Sequence, residues 1–138
     1  MTNGIDLVML EHRRVEDLFA AFREAPDGVA AGSIFDALAA HDDGEQAALY
    51  PLVEALGVAP DVVQRSRDAH SRVKRLIDHA RAQEGPPLAE AMVALEAAVT
   101  EHVADEEQRL LPSLQSAATD AQLQGLAARW QQVQQRVG

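Results

Sequence analysis

Two segments of the chain repeat one pattern, and that pattern restricts the fold more than any other feature. HDDGEQAALYP runs from His41 to Pro51, and HVADEEQRLLP runs from His102 to Pro112. Each has the form His-x-x-x-Glu, with a proline ten positions after the histidine and apolar residues just before it. On an α-helix, positions i and i+4 lie about 40° apart around the axis and one turn apart along it, so imidazole and carboxylate project together. His41 with Glu45, and His102 with Glu106, each offer one nitrogen and one or two oxygens to a common point, which suits a transition metal. The rest of the chain reads as a frame for these two pairs.

Helical periodicity supplies that frame, and breaks cut it into pieces. A first helix is predicted from about Ile5 to Glu24, with Val8, Val15, Leu18, Phe19 and Phe22 on its apolar face and His12 on the shoulder. The loop Ala25 to Gly32 ends it, and Ser33 reads as the N-cap of a second helix carrying Ile34, Leu38, His41, Glu45 and Leu49. Gly44 costs this helix about 1 kcal/mol of propensity against alanine, and only close packing accounts for it. Pro51 should kink the helix rather than end it, because LVEAL continues to Gly57. Pro60 and Asp61, with Gln64 completing a capping box, start a third helix whose inner stripe is Val63, His70, Val73 and Ile77. After EGPP, a fourth carries Leu88, Met92, Leu95, Val99, His102, Glu106 and Leu110, running toward Ser116. Thr119 and Gln122 form another capping box, followed by an amphipathic helix with Leu123, Leu126, Trp130, Val133 and Val137 at three- and four-residue intervals.

Long helices with short connections favour an all-α, up-down-up-down antiparallel four-helix bundle with an additional C-terminal helix. A single domain over residues 1–138 is expected, with the bundle at about 4–117 and the last helix at about 119–137. The two halves echo one another: each is a helical hairpin with one lone histidine, His12 or His70, followed by one His-x-x-x-Glu helix. His79, nine positions after His70, falls on the opposite face and reads as solvated. Asp42, Asp43 and Asp105 also read as solvated, and Glu16 as a surface residue or one lying behind the ligands. Glu107 is less favoured than Glu106, because Gln46 holds the matching position in the first segment.

Composition narrows the function. The formal charge of −10 argues against nucleic acid and anionic membrane surfaces as partners. With no cysteine, disulfides, thiolate zinc sites and iron–sulfur clusters are excluded. The N-terminus has no secretion-signal pattern and no run approaches the roughly 20 apolar residues that span a bilayer, so a cytoplasmic location is expected. Burying four histidines and two glutamates is costly unless they share a partner, and a metal is the simplest common partner.

His12, HDDGE, His70 and HVADE, with LYP and LLP downstream, resemble the hemerythrin-like HHE cation-binding domain over roughly residues 4 to 117. The resemblance implies a non-heme di-iron centre held by His12, His41, Glu45, His70, His102 and Glu106. Two Fe ions would be bridged by both glutamates and an oxo or hydroxo group. Oxygen-carrying hemerythrins place another histidine four residues after the third-helix histidine, where this chain has Lys74. Each iron would then keep an open or solvent-filled position. That departure favours peroxide or nitric oxide chemistry over reversible oxygen transport, with dioxygen, H2O2 and NO as candidate ligands. A catalase-like or nitric-oxide-reactive enzyme and a non-catalytic oxygen or iron sensor both stay open. In the sensor reading the C-terminal helix docks on its own bundle or offers its stripe to a protein partner or oligomer. Tyr50, about 140° from Glu45 on a straight helix, is a packing residue unless the Pro51 kink re-aims it as a ligand or a residue behind the ligands. Lys74 either brings a positive charge near the site or extends outward.

Overall fold

The computed structural model describes residues 2–137, and the side chains of residues 2–136. The described residues form five helices. Helix α1 spans Gly4–Glu24 and opens on a capping box in which Asn3 and Asp6 satisfy each other's backbone N–H. Helix α2 starts at Gly28, five residues before Ser33. Asp27 is its N-cap, accepting from Ala30 N at 2.7 Å, and the Ser33 hydroxyl donates back to Val29 O instead. The apolar pattern begins only at Ile34, so the first, small-residue turn of this helix carries no periodic signal.

Helix α2 has three continuous parts: α-helical Gly28–Gly44, one π-helical turn Glu45–Leu49, and α-helical Tyr50–Ala55. Gly57, at φ 66°, closes it in the left-handed conformation that glycine adopts freely. Helix α3 spans Pro60–Arg81. The expected Asp61–Gln64 capping box does not form: Ala59 holds the N-cap position without a side-chain cap, and Gln64 donates to Asp68 at 3.0 Å. Helix α4 repeats the construction of α2, with Gly85–Asp105, a π turn Glu106–Leu110, and Leu111–Ala117. Helix α5 spans Asp120–Val137, and its predicted Thr119–Gln122 capping box is present in both directions.

Helices α1 to α4 make the bundle, and α5 packs on α1 and on the π-turn region of α2. Its buried Leu123, Leu126, Trp130 and Val133 face the bundle, so the predicted stripe is covered by the chain itself. The Val137 side chain lies outside the described residues. No helix among them is long and apolar enough to cross a membrane.

The core falls into two apolar layers along the bundle axis. One gathers residues such as Phe19, Ile34, Leu38, Ile77, Leu95 and Val99. The other gathers Val8, Leu49, Tyr50, Val63, Leu110 and Trp130. Each bundle helix carries its inner histidine between these layers: His12 between Val8 and Val15, His41 between Leu38 and Ala48, His70 between Val63 and Val73, His102 between Val99 and Leu110. The fold therefore places one polar level in the middle of an apolar column.

Candidate metal centre

All six predicted ligand residues meet at that polar level. His12, His41, Glu45, His70, His102 and Glu106 are all buried, with both glutamates at 0% exposure. Their donor atoms form two groups, His12–His41–Glu45–Glu106 and Glu45–His70–His102–Glu106, within each of which one ligand atom per residue lies within 4.8 Å of the others. Glu45 and Glu106 belong to both groups. All four imidazoles turn Nε2 inward: His12 Nε2 is 3.1 Å from Glu106 Oε1, His70 Nε2 is 2.7 Å from Glu45 Oε1, and His102 Nε2 is 3.3 Å from each glutamate. His41 Nε2 lies 3.2 Å from Glu45 Oε1 and 3.2 Å from His12 Nε2.

Three of the four rings are held from behind by a carboxylate. Glu107 Oε2 meets His12 Nδ1 at 2.6 Å, Glu11 Oε1 meets His41 Nδ1 at 3.2 Å, and Asp42 Oδ1 meets His70 Nδ1 at 2.6 Å. A carboxylate on Nδ1 selects the tautomer that leaves the Nε2 lone pair free, the usual arrangement behind a metal-binding imidazole. Asp42 is therefore not the solvated residue that its helical angle suggested; it is buried and tied to the neighbouring helix. Sequence reading did not assign Glu11, Asp42 or Glu107 to this task. Glu16, Asp43 and His79 are exposed as expected, and Glu16 pairs with Arg13 at 3.1 Å.

Without a cation the cluster pairs its own charges, and Glu106 alone is pushed toward its neutral form. Burial and then the adjacent Glu45 carboxylate push Glu106 up to about 7. Burial opposes ionisation of Glu45 too, but His41 and the other groups against it outweigh that and hold it well below the usual carboxylate range. Burial pulls His70 down, and its bonds to Asp42 and Glu45 more than reverse this, to about 9. His41 is likewise raised well above the ordinary imidazole value by Glu45 and Glu11, against its burial.

A metal cation fits these residues on one direct observation. Glu45 Oε2 and both Glu106 oxygens are buried and accept no hydrogen bond among the described residues, although His12 Nε2 and His102 Nε2 lie 3.1 and 3.3 Å from the Glu106 oxygens. Orphaned carboxylate oxygens in an apolar column are expensive. A cation between the imidazole nitrogens would satisfy them.

The π turns aim the neighbouring residues. In each, the N–H five residues on bonds back to the glutamate carbonyl, from Tyr50 to Glu45 and from Leu111 to Glu106. This wider turn brings Tyr50 toward the face that Glu45 occupies. Tyr50 is fully buried, its ring lies edge-on to His70 at 5.7 Å between centroids, and its hydroxyl has no hydrogen-bond partner among the described residues. Burial and the nearby Glu45 and Glu106 raise the phenol above its usual range. Lys74 extends outward, with Nζ 3.4 Å from Asp42 Oδ2, so it reaches the centre only through Asp42 and His70.

A cavity of about 420 Å³ connects the histidines to the exterior. Its walls are largely apolar, with Val15, Phe35, Leu38, Val73, Ile77 and Val99, and it reaches exposed Asp43, Lys74 and Asp78. A water-sized molecule needs only about 30 Å³, so small diatomics and peroxide fit easily.

The family model described as "Hemerythrin HHE cation binding domain" matches residues 3–114. A crystal structure of a hemerythrin HHE cation-binding domain-containing protein from Mycobacterium kansasii superposes with a TM-score of 0.83 at 20% identity, covering 99% of this chain and 90% of that one. A protein from Nostoc sp. (strain PCC 7120) named DNA nickase is 27% identical over 143 aligned residues, which are 96% of this chain and 40% of the relative. The chain thus spans well under half the length of that curated relative.

Proposed function

The chain belongs to the hemerythrin HHE cation-binding domain family, and we propose that it is a non-heme di-iron protein that binds or reacts with a small oxidant. The candidates are dioxygen, peroxide and nitric oxide, with peroxide or nitric oxide chemistry favoured over reversible oxygen transport. His12 and His41 would hold one iron, His70 and His102 the other. Glu45 and Glu106 would bridge them alongside an oxo or hydroxo group. The observation that carries this reading is the sharing of two buried glutamates, three of whose oxygens are otherwise orphaned, by two pairs of imidazoles. Iron bound there would supply Lewis acidity and redox capacity.

The chain's own residues set the conditions for that chemistry. Glu107, Glu11 and Asp42 hold three imidazoles with Nε2 inward, and the two fully buried glutamates neutralise charge where the dielectric is low. Each group brings two imidazoles and two carboxylates, and no residue at the Lys74 position adds a further donor. Room for an exogenous ligand therefore remains on both sides of the centre, and the cavity supplies its route.

The second reading is a non-catalytic oxygen or iron sensor, or an iron-binding module, and it is favoured by contact between α5 and the site through Trp130, which packs edge-on to His41 at 5.4 Å. Peroxide turnover by purified, iron-loaded protein supports the first reading. Absence of turnover together with iron-dependent oligomerisation supports the second. Nicking of DNA is not extended to this chain, because a formal charge of −10 opposes duplex binding.

The ligand assignment is tested by single variants. His41→Ala and His102→Ala should each impair iron binding, and His79→Ala should not; equal losses from all three would overturn the assignment. Tyr50→Phe separates coordination from packing: a visible phenolate-to-iron band lost in the variant makes Tyr50 a ligand, and an unchanged spectrum makes it packing.

A further inference from the structure

Glu11 and Trp130 lie outside both cation-holding groups, yet together they reach one of them. Glu11 stands on α1, one residue before His12. Its Oε1 lies 3.2 Å from His41 Nδ1, and its Oε2 accepts the Trp130 indole N–H at 2.5 Å. The indole also packs edge-on against the His41 ring and is 1% exposed. Three features seat α5 so that this contact forms. Gly44 leaves space that a Cβ would fill at 2.8 Å from the indole, Leu126 occupies the space over Gly4, and Gln134 donates to Ala40 O at 2.8 Å.

We propose that Glu11 and Trp130 are positioning residues for the His41 imidazole, and that docking of α5 and cation binding at the His12–His41 group are thereby coupled. The proposal rests on the reading that His41 helps hold a cation. A carboxylate fixed by an indole donor on one oxygen has a fixed direction for the other, and that oxygen orients Nδ1 of His41. The coupling is reciprocal by linkage. A cation that fixes His41 also fixes Glu11, Trp130 and the helix that carries it, while loss of the indole contact frees Glu11 and lets the His41 ring turn. No comparable link from α5 exists at the other group among the described residues: His70 Nδ1 is held by Asp42 of α2, and His102 Nδ1 has no partner.

The test uses the full chain, stripped of cations and titrated with Co2+ or, without oxygen, with Fe2+. Binding is read by equilibrium dialysis and by fluorescence of Trp130, the chain's one tryptophan. The parent should show quenching as the cation binds, and slower amide exchange over residues 127–134. Trp130→Phe keeps the packing and removes the donor; Glu11→Gln removes the carboxylate. Each should weaken binding at one of the two groups about tenfold, the scale of residues that orient metal ligands from behind. The double variant should be no weaker than the worse single, because both act through one chain of contacts. Gln134→Ala loosens α5 without touching Glu11 and should leave affinity within about twofold while α5 remains mostly docked. The proposal is overturned if Trp130→Phe and Glu11→Gln bind like the parent, or if their effects multiply in the double variant. A parent that binds no cation overturns the underlying reading and this proposal with it, whereas variants that match a binding parent overturn the proposal alone.

Discussion

Gly44 shows how a residue that weakens its own helix can be required by the tertiary structure. Alanine there would gain about 1 kcal/mol of helix propensity, but its Cβ would come 2.8 Å from the Trp130 indole. Overpacking of that kind costs about 1–3 kcal/mol, so Gly44→Ala should be net destabilising by about 1 kcal/mol in denaturant unfolding; a stabilised variant would show that the indole can move aside. His41, Glu45, His102 and Glu106 were legible in the sequence because a repeated i,i+4 spacing is a local signal on a helix, and His12 and His70 through the echo between the two halves and the family resemblance. The three orienting carboxylates were not, for a physical reason. Glu11, Asp42 and Glu107 each adjoin a candidate ligand in sequence, yet each bonds a histidine of a different helix. One residue's turn of about 100° points a side chain at the neighbouring helix, and only the packed bundle says which histidine waits there. An acid adjoining a proposed ligand is the signal that could have found them.

Among the elements, the π turns of α2 and α4 are matched, as the sequence segments are. The kink expected at Pro51 takes the form of a widened turn five residues long just upstream, and the same turn precedes Pro112, for which the sequence carried no such expectation. The number of residues per turn is a backbone property that side-chain spacing does not reveal, so the placement of Tyr50 near His70 had to come from the structure. Helix α5 was legible as an amphipathic stripe with a capping box, but the stripe alone did not decide between its own bundle and another chain. Packing of Leu126 over Gly4 decides it. Leu126→Ala should therefore cost about 2–5 kcal/mol, the range for a buried leucine, measured by chemical denaturation of the full chain. A loss below about 0.5 kcal/mol, typical of a surface substitution, would mean that α5 is not part of the cooperative core.

For the whole molecule, the decisive feature is a charged level held inside an apolar column. In protein stripped of cations, His70 is raised from 6.5 to about 9. Its contribution to stability is fully present below pH 6.5 and is lost as pH rises through about 9. Glu106, raised to about 7, carries a proton in the acidic range. A cation must displace these protons, so affinity should rise with pH across about 6 to 9 and binding at pH 7.5 should release protons. Indicator-dye titration in weak buffer checks this: no release, or affinity that falls with rising pH, would contradict it. Cation binding to the folded state alone should also raise the unfolding temperature. The most direct measurement of the central claim is iron content together with the optical spectrum, before and after peroxide, on protein made in iron-replete cells. The shared-glutamate centre predicts about two irons per chain and oxo-bridge absorption that changes with peroxide. Well under one iron per chain, with no such absorption, would contradict it.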